Sequence, residues 1–218
     1  MYFDDDVAIP IGAGESLPGH CRVPDAARGL VAFVHGSGSS RHSPRNKLVA
    51  DHLNSRGLGT LLFDLLTENE GQRRQNVFDI DLLADRVGNA RDWVAEQPTL
   101  SGLALGLFGA STGAAAALVS AAVQPEGVAA VVSRGGRVDL AGPWLSKVRA
   151  PCLFLVGELD QQVLIWNQQS ARNLRCEHRI EVVPEATHLF EEPGALEQVA
   201  ESAASWFVSH LPGFEHVR

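Results

Sequence analysis

Gly109-Ala110-Ser111-Thr112-Gly113 places one serine between two glycines in the pattern G-x-S-x-G. The apolar run Leu103-Ala104-Leu105-Gly106-Leu107-Phe108 precedes it, and Ala114-Ala115-Ala116-Ala117-Leu118-Val119 follows. That context reads as strand, sharp turn and helix, with Ser111 at the turn. A strained turn needs small neighbours, which the glycines supply. The helix start offers free N–H groups and partial positive charge, which favour an oxyanion. A serine presented this way is a candidate nucleophile for acyl transfer.

A serine hydroxyl is a weak nucleophile at neutral pH. It needs a base, and the base needs an orienting carboxylate. The strand Leu153 to Val156 runs into Gly157-Glu158-Leu159-Asp160, and the strand ending at Val183 runs into Pro184-Glu185-Ala186-Thr187-His188. Asp160 is the expected acid and His188 the expected base. Glu158 shares the turn and is the rival acid; Asp160 is preferred because the turn must carry the carboxylate past the strand end. His20, His52, His178, His210 and His216 fall on strands, helices or the terminus, away from this edge. A histidine base must be neutral to accept a proton, so activity is expected to fall below about pH 7.

An oxyanion needs two aimed donors. The Thr112 N–H is one. The second is expected from His35-Gly36-Ser37-Gly38-Ser39-Ser40, at Ser37, with His35 a packing residue. Arg41 and Arg45 continue this loop, and Arg134 follows the strand placed at Gly127 to Val132. These arginines are candidates for binding a substrate carboxylate or phosphate. The competing reading has them pairing with Asp64, Glu68 or Asp139 to hold loops. The loop lacks the lysine of a phosphate-binding P-loop. The chemistry requires no cofactor and no metal.

The elements follow from this edge outward. Val7 to Ile11 and Ser16 to Val23 read as an antiparallel pair, and Gly29 to Val34 as a buried strand. A helix is expected from Pro44 to a cap at Gly57. Strand Thr60 to Asp64 leads to a polar loop, Thr67 to Gln75, and then a helix over Asp81 to Glu96. Strand Pro151 to Val156, a helix over Val163 to Leu174, strand Arg179 to Val183 and a helix over Leu196 to Leu211 complete the chain. Strands alternating with helices predict a mostly parallel central sheet covered on both faces. Only residues 133 to 150 separate two strands where a cap would sit, so no large cap domain is expected. Trp144 and Phe190 could line the pocket or belong to the core.

The chain has 218 residues, of which 45% are hydrophobic and 20% charged, which suits one domain over residues 1–218. Its net charge of −8, without a basic cluster, argues against nucleic acid as a partner. Asp4-Asp5-Asp6 reads as a solvated acidic end. No apolar run reaches the roughly 20 residues that span a bilayer, and the N-terminus lacks a secretory pattern. Three widely spaced cysteines, Cys21, Cys152 and Cys176, fit free thiols in a cytoplasmic protein. A homodimer suits such sheets, although no residue identifies one.

Four blocks carry a family likeness: His35 to Asn46, Leu62-Phe63-Asp64-Leu65-Leu66-Thr67, Gly109 to Gly113, and Thr187-His188-Leu189-Phe190. Through them nearly the whole chain resembles the α/β-hydrolase superfamily, and within it the small bacterial dienelactone-hydrolase-like hydrolases. The resemblance implies a Ser-His-Asp hydrolase acting on a small soluble acyl substrate. Dienelactone hydrolases proper place a cysteine where this chain has Ser111. That departure favours ester or thioester chemistry, and the expected substrate is a carboxylic ester, lactone or thioester. Some relatives are fused to phosphoribosyltransferase domains, and none is expected within these residues. An acyltransferase, or a non-catalytic binding or regulatory protein on the same scaffold, are the alternatives.

Overall fold

The computed structural model describes residues 3–211. Phe3–Gly12 (β1) and Glu15–Val23 (β2) form the expected antiparallel hairpin. Asp4, Asp5 and Asp6 are exposed, as the sequence suggested, although they lie within β1. Asp4 and Asp6 flank His20 across the hairpin, at 2.8 and 3.1 Å. Gly29–Val34 (β3) is buried throughout. Pro44–Ser55 (α1) follows it, with Pro44 in its first turn and Ser43 capping the Asn46 N–H. Gly57 just beyond has φ of 77°, a left-handed conformation that glycine adopts without strain.

Gly59–Phe63 (β4) precedes Glu68–Gly71 (α2) and Arg74–Val77 (α3). The sequence predicted a plain loop here. Thr67 and Glu70 instead form a reciprocal capping box that nucleates α2. Ile80–Glu96 (α4) leads to Ala104–Ala110 (β5), and Thr112–Val123 (α5) follows directly. Ala130–Arg134 (β6) ends two residues later than expected, so Arg134 is the last residue of the strand. A 3-10 stretch over Val138–Lys147 then connects to Cys152–Gly157 (β7). Gln161–Ala171 (α6), His178–Val183 (β8) and Ala195–His210 (α7) complete the described chain.

The sheet has the order β1-β2-β4-β3-β5-β6-β7-β8. Strands from β4 to β8 pair in parallel, and β2 joins β1 and β4 antiparallel. Alternate side chains feed two cores. Val31, Phe33, Phe108, Val132 and Phe207 pack on the α1 and α7 side. Leu30, Ala32, Leu107, Val131 and Phe154 pack on the α4 and α5 side. Buried on both faces, β3 to β7 are nearly all apolar, whereas the edge strand β8 is partly exposed and carries His178, Arg179 and Glu181. Their C-terminal ends collect on one edge, where the candidate residues lie.

Candidate active site

Ser111 sits between β5 and α5 with φ 50° and ψ −123°, a conformation costly for a side-chain-bearing residue. Its surroundings fix it there. Its N–H donates to the Arg134 carbonyl at 3.2 Å, and its carbonyl accepts from Ala114 N–H at 3.1 Å and Arg137 N–H at 3.0 Å. The flanking glycines are required by close approach. A Cβ on Gly109 would lie 2.5 Å from the Ala114 Cα, and one on Gly113 2.1 Å from the Val34 carbonyl oxygen. A Cβ on Gly36 would come within 2.9 Å of the Ser111 Cβ. The loop after β3 is therefore pressed directly against the serine.

His188 lies in the loop after β8. Its Nδ1 is 2.6 Å from Asp160 Oδ2, and its ring covers Gly135, whose Cβ would be 3.4 Å from Nδ1. Gly135 adjoins Arg134, whose carbonyl holds Ser111, so histidine and serine share one corner of the sheet edge. Asp160 occupies the N-cap of α6, where an aspartate ordinarily bonds the helix's first N–H groups. Here its side chain makes no cap bond and turns to His188. Glu158, the rival acid, accepts the Glu185 N–H at 2.9 Å and so braces the loop that carries His188. Leu159 N–H to Ala186 O, at 3.0 Å, and buried Phe190 hold the same loop. Phe190 thus belongs to the core, and Trp144 packs partly buried with Lys147 Nζ 4.4 Å from its ring centre.

Ser37 and Thr112 meet, although not as expected. The Ser37 N–H is not a free donor: it is donated to Thr112 Oγ1 at 3.0 Å. His35 is a structural residue. Its Nδ1 faces the Gly36 carbonyl at 3.0 Å and its Nε2 accepts the Leu65 N–H at 3.2 Å, which requires the neutral ring. Burial lowers its pKa, against smaller opposing effects of the Gly36 carbonyl and Asp64.

The three arginines differ. Arg41 is committed to Asp64 through both its backbone N–H and its guanidinium. Arg45 reaches Glu191 at 3.1 Å, with its Nε buried and unpartnered. Arg134 is 9% exposed, its Nη1 has no hydrogen-bond partner, and no carboxylate pairs with it among the described residues. Its guanidinium lies 5.8 Å from the Phe108 ring centre. Burial and the nearby Arg45 charge pull its pKa down to about 10. Sequence reasoning grouped the three by position, whereas only their partners distinguish them.

A cavity of about 290 Å³ opens beside the serine-rich loop, lined by Gly36, Ser37, Leu65, Leu66, Val77 and Leu83. The short helices α2 and α3 supply one wall of it. His216 lies outside the described residues. Among the described residues no group of acidic, histidine and cysteine side chains could hold a metal ion, and no helix is long and apolar enough to cross a membrane.

This strand order, with a serine on the sharp turn after β5 and a histidine after β8, defines the α/β-hydrolase fold. Residues 46–216 match the Dienelactone hydrolase family. A dienelactone hydrolase crystal structure from Anabaena variabilis is 48% identical, with a TM-score of 0.93 over 96% of this chain and 99% of that one. The chain belongs to the dienelactone hydrolase family. Est1E from Butyrivibrio proteoclasticus shares the fold at 14% identity, with a TM-score of 0.79 over 94% of this chain and 98% of its own. Two Mycobacterium tuberculosis proteins, from strains CDC 1551 and H37Rv, are named as candidate phosphoribosyl transferases. Each is 54% identical over 210 residues, which is 96% of this chain and 47% of the relative. The chain therefore spans about half the length of these curated relatives.

Proposed function

We propose that this hydrolase cleaves a small carboxylic ester, lactone or thioester through a covalent acyl-enzyme. The observation that carries the reading is the Asp160 side chain. It forgoes a helix cap to hold His188 Nδ1 at 2.6 Å, which leaves Nε2 as the proton acceptor. Ser111 Oγ attacks the acyl carbon as Nε2 takes its proton. The leaving group departs with that proton, and water then releases the acyl group by the reverse sequence. Asp160 orients the ring and stabilises its charged form. The oxyanion is held by the Thr112 N–H at the start of α5 and by the Ser37 N–H. The latter exchanges its Thr112 hydroxyl acceptor for the stronger, charged one.

The cavity lined by Leu65, Leu66, Val77 and Leu83 accommodates a short acyl or alcohol portion. Arg134, with Arg45 beside it, provides uncompensated positive charge for a substrate that carries its own carboxylate or phosphate. Arg41 has no such role, because Asp64 already satisfies it.

Stopped-flow turnover of a nitrophenyl ester tests the reading. A burst of nitrophenol matching the enzyme concentration, abolished in Ser111→Ala, is expected. Turnover that survives Ser111→Ala unchanged would contradict it.

A further inference from the structure

Two thiols meet at the opposite end of the sheet from Ser111. Cys152 opens β7 and is fully buried. Its register partner in β8 is His178, and its N–H donates to the Glu177 carbonyl at 2.9 Å. Cys176 lies two residues before that partner, half-buried and packed against the same core as Cys152. The Cys152 thiol donates to the Ala150 carbonyl at 3.2 Å, and the two thiols lie close enough to influence each other's ionisation. Cys176 also lines a surface cavity of about 620 Å³ whose other walls include Lys147, Arg149 and Arg175. A half-buried thiol, a second thiol beside it and a basic cavity in front are the parts of an exchange site.

We propose that Cys176 and Cys152 form a dithiol site that an anionic low-molecular-weight disulfide, of the glutathione type, converts into an intramolecular disulfide. The basic cavity receives the carboxylates of the incoming disulfide. The Cys176 thiolate attacks one of its sulfurs, the original S–S bond breaks, and one thiol leaves. Cys152 gives its proton to solvent and attacks the Cys176 sulfur, and the second thiol leaves. Two cysteine thiols lose two electrons and two protons in all, and one small disulfide becomes two thiols. Excess thiol reverses the sequence.

The roles are fixed by position. The neighbouring Cys152 thiol holds the Cys176 pKa below the usual thiol value, against the opposing effects of partial burial and Glu177. The same proximity, together with burial, pushes Cys152 well up. Cys176, half-buried at the cavity wall, is therefore the attacking group, and Cys152, fully buried behind it, the resolving one. Cys21, buried in β2, has its pKa raised to about 12 by burial and by Asp4, and takes no part. The bond would tie the start of β7 to the approach to β8, closing a loop that contains Asp160. It is therefore expected to raise the melting temperature.

The test incubates the intact chain with glutathione disulfide, followed by thiol counting and peptide mapping without reductant. Two of the three free cysteines should disappear, with Cys152 and Cys176 joined in one cross-linked peptide pair that dithiothreitol releases. Cys152→Ala should instead accumulate one glutathione on Cys176. Cys176→Ser, a change at a half-buried position, should give neither product and melt as the reduced protein does. Retention of all three thiols by the wild-type chain would overturn the proposal. So would a stable glutathione adduct on wild-type Cys176 without the internal bond, or cross-links formed only between chains.

Discussion

Ser111 is held at φ 50° by hydrogen bonds to Arg134, Ala114 and Arg137 rather than by any preference of its own. Such strain costs on the order of 1–3 kcal/mol. Ser111→Gly should therefore unfold at higher urea than Ser111→Ala, by about 1 kcal/mol, with both variants inactive. Equal midpoints would mean that the turn stores no strain. Arg134 carries a second residue-scale expectation. A buried, unpaired guanidinium costs stability, so Arg134→Met should unfold at the same or higher denaturant concentration than the wild type. Its kcat/KM for a half-ester with a free carboxylate should fall by about tenfold or more, with little change for a neutral ester of the same length. A parallel loss on both esters would assign Arg134 to the scaffold.

The elements show where the sequence was legible. Ser111 and Asp160 each follow an apolar strand that declares itself by composition, His188 follows the more polar edge strand β8, and the chain places all three on one edge. Glycines that admit no Cβ mark the contact of β5 with α5 in plain sight. Gly113→Ala would force a carbon to 2.1 Å from the Val34 carbonyl oxygen. It should destabilise the protein by about 3 kcal/mol or more in chemical unfolding. Other features were hidden. Helices α2 and α3 span four residues each, too short for a helical period to show, although the Thr67–Glu70 capping box was present to be read. The end of β6 was set by pairing of Ser133 and Arg134 with both neighbouring strands, which local propensity does not encode. The Ser37 N–H to Thr112 Oγ1 bond joins residues far apart in sequence, so no local pattern announced it.

At the scale of the whole molecule, two apolar layers clamp a sheet whose C-terminal edge carries the chemistry. His35 ties the ends of β3 and β4 together at that edge. Its folded pKa is lowered from 6.5, so on acidification the unfolded chain takes the proton first. Stability should be level with respect to this group above pH 6.5 and should fall as pH drops from there towards the lowered folded value. His35→Gln should flatten that slope in urea unfolding measured on both sides of pH 6.5; an unchanged slope would assign the acid sensitivity elsewhere.

The account rests on Ser111 being an activated nucleophile, and covalent labelling tests that most directly. Folded protein is treated with a fluorophosphonate probe and the modified residue is mapped, with Ser111→Ala, His188→Ala and a known serine hydrolase alongside. Labelling confined to Ser111, lost in Ser111→Ala and strongly slowed in His188→Ala, is the expected result. Unlabelled wild-type protein, under conditions that label the control enzyme, would contradict the account, as would labelling at another residue.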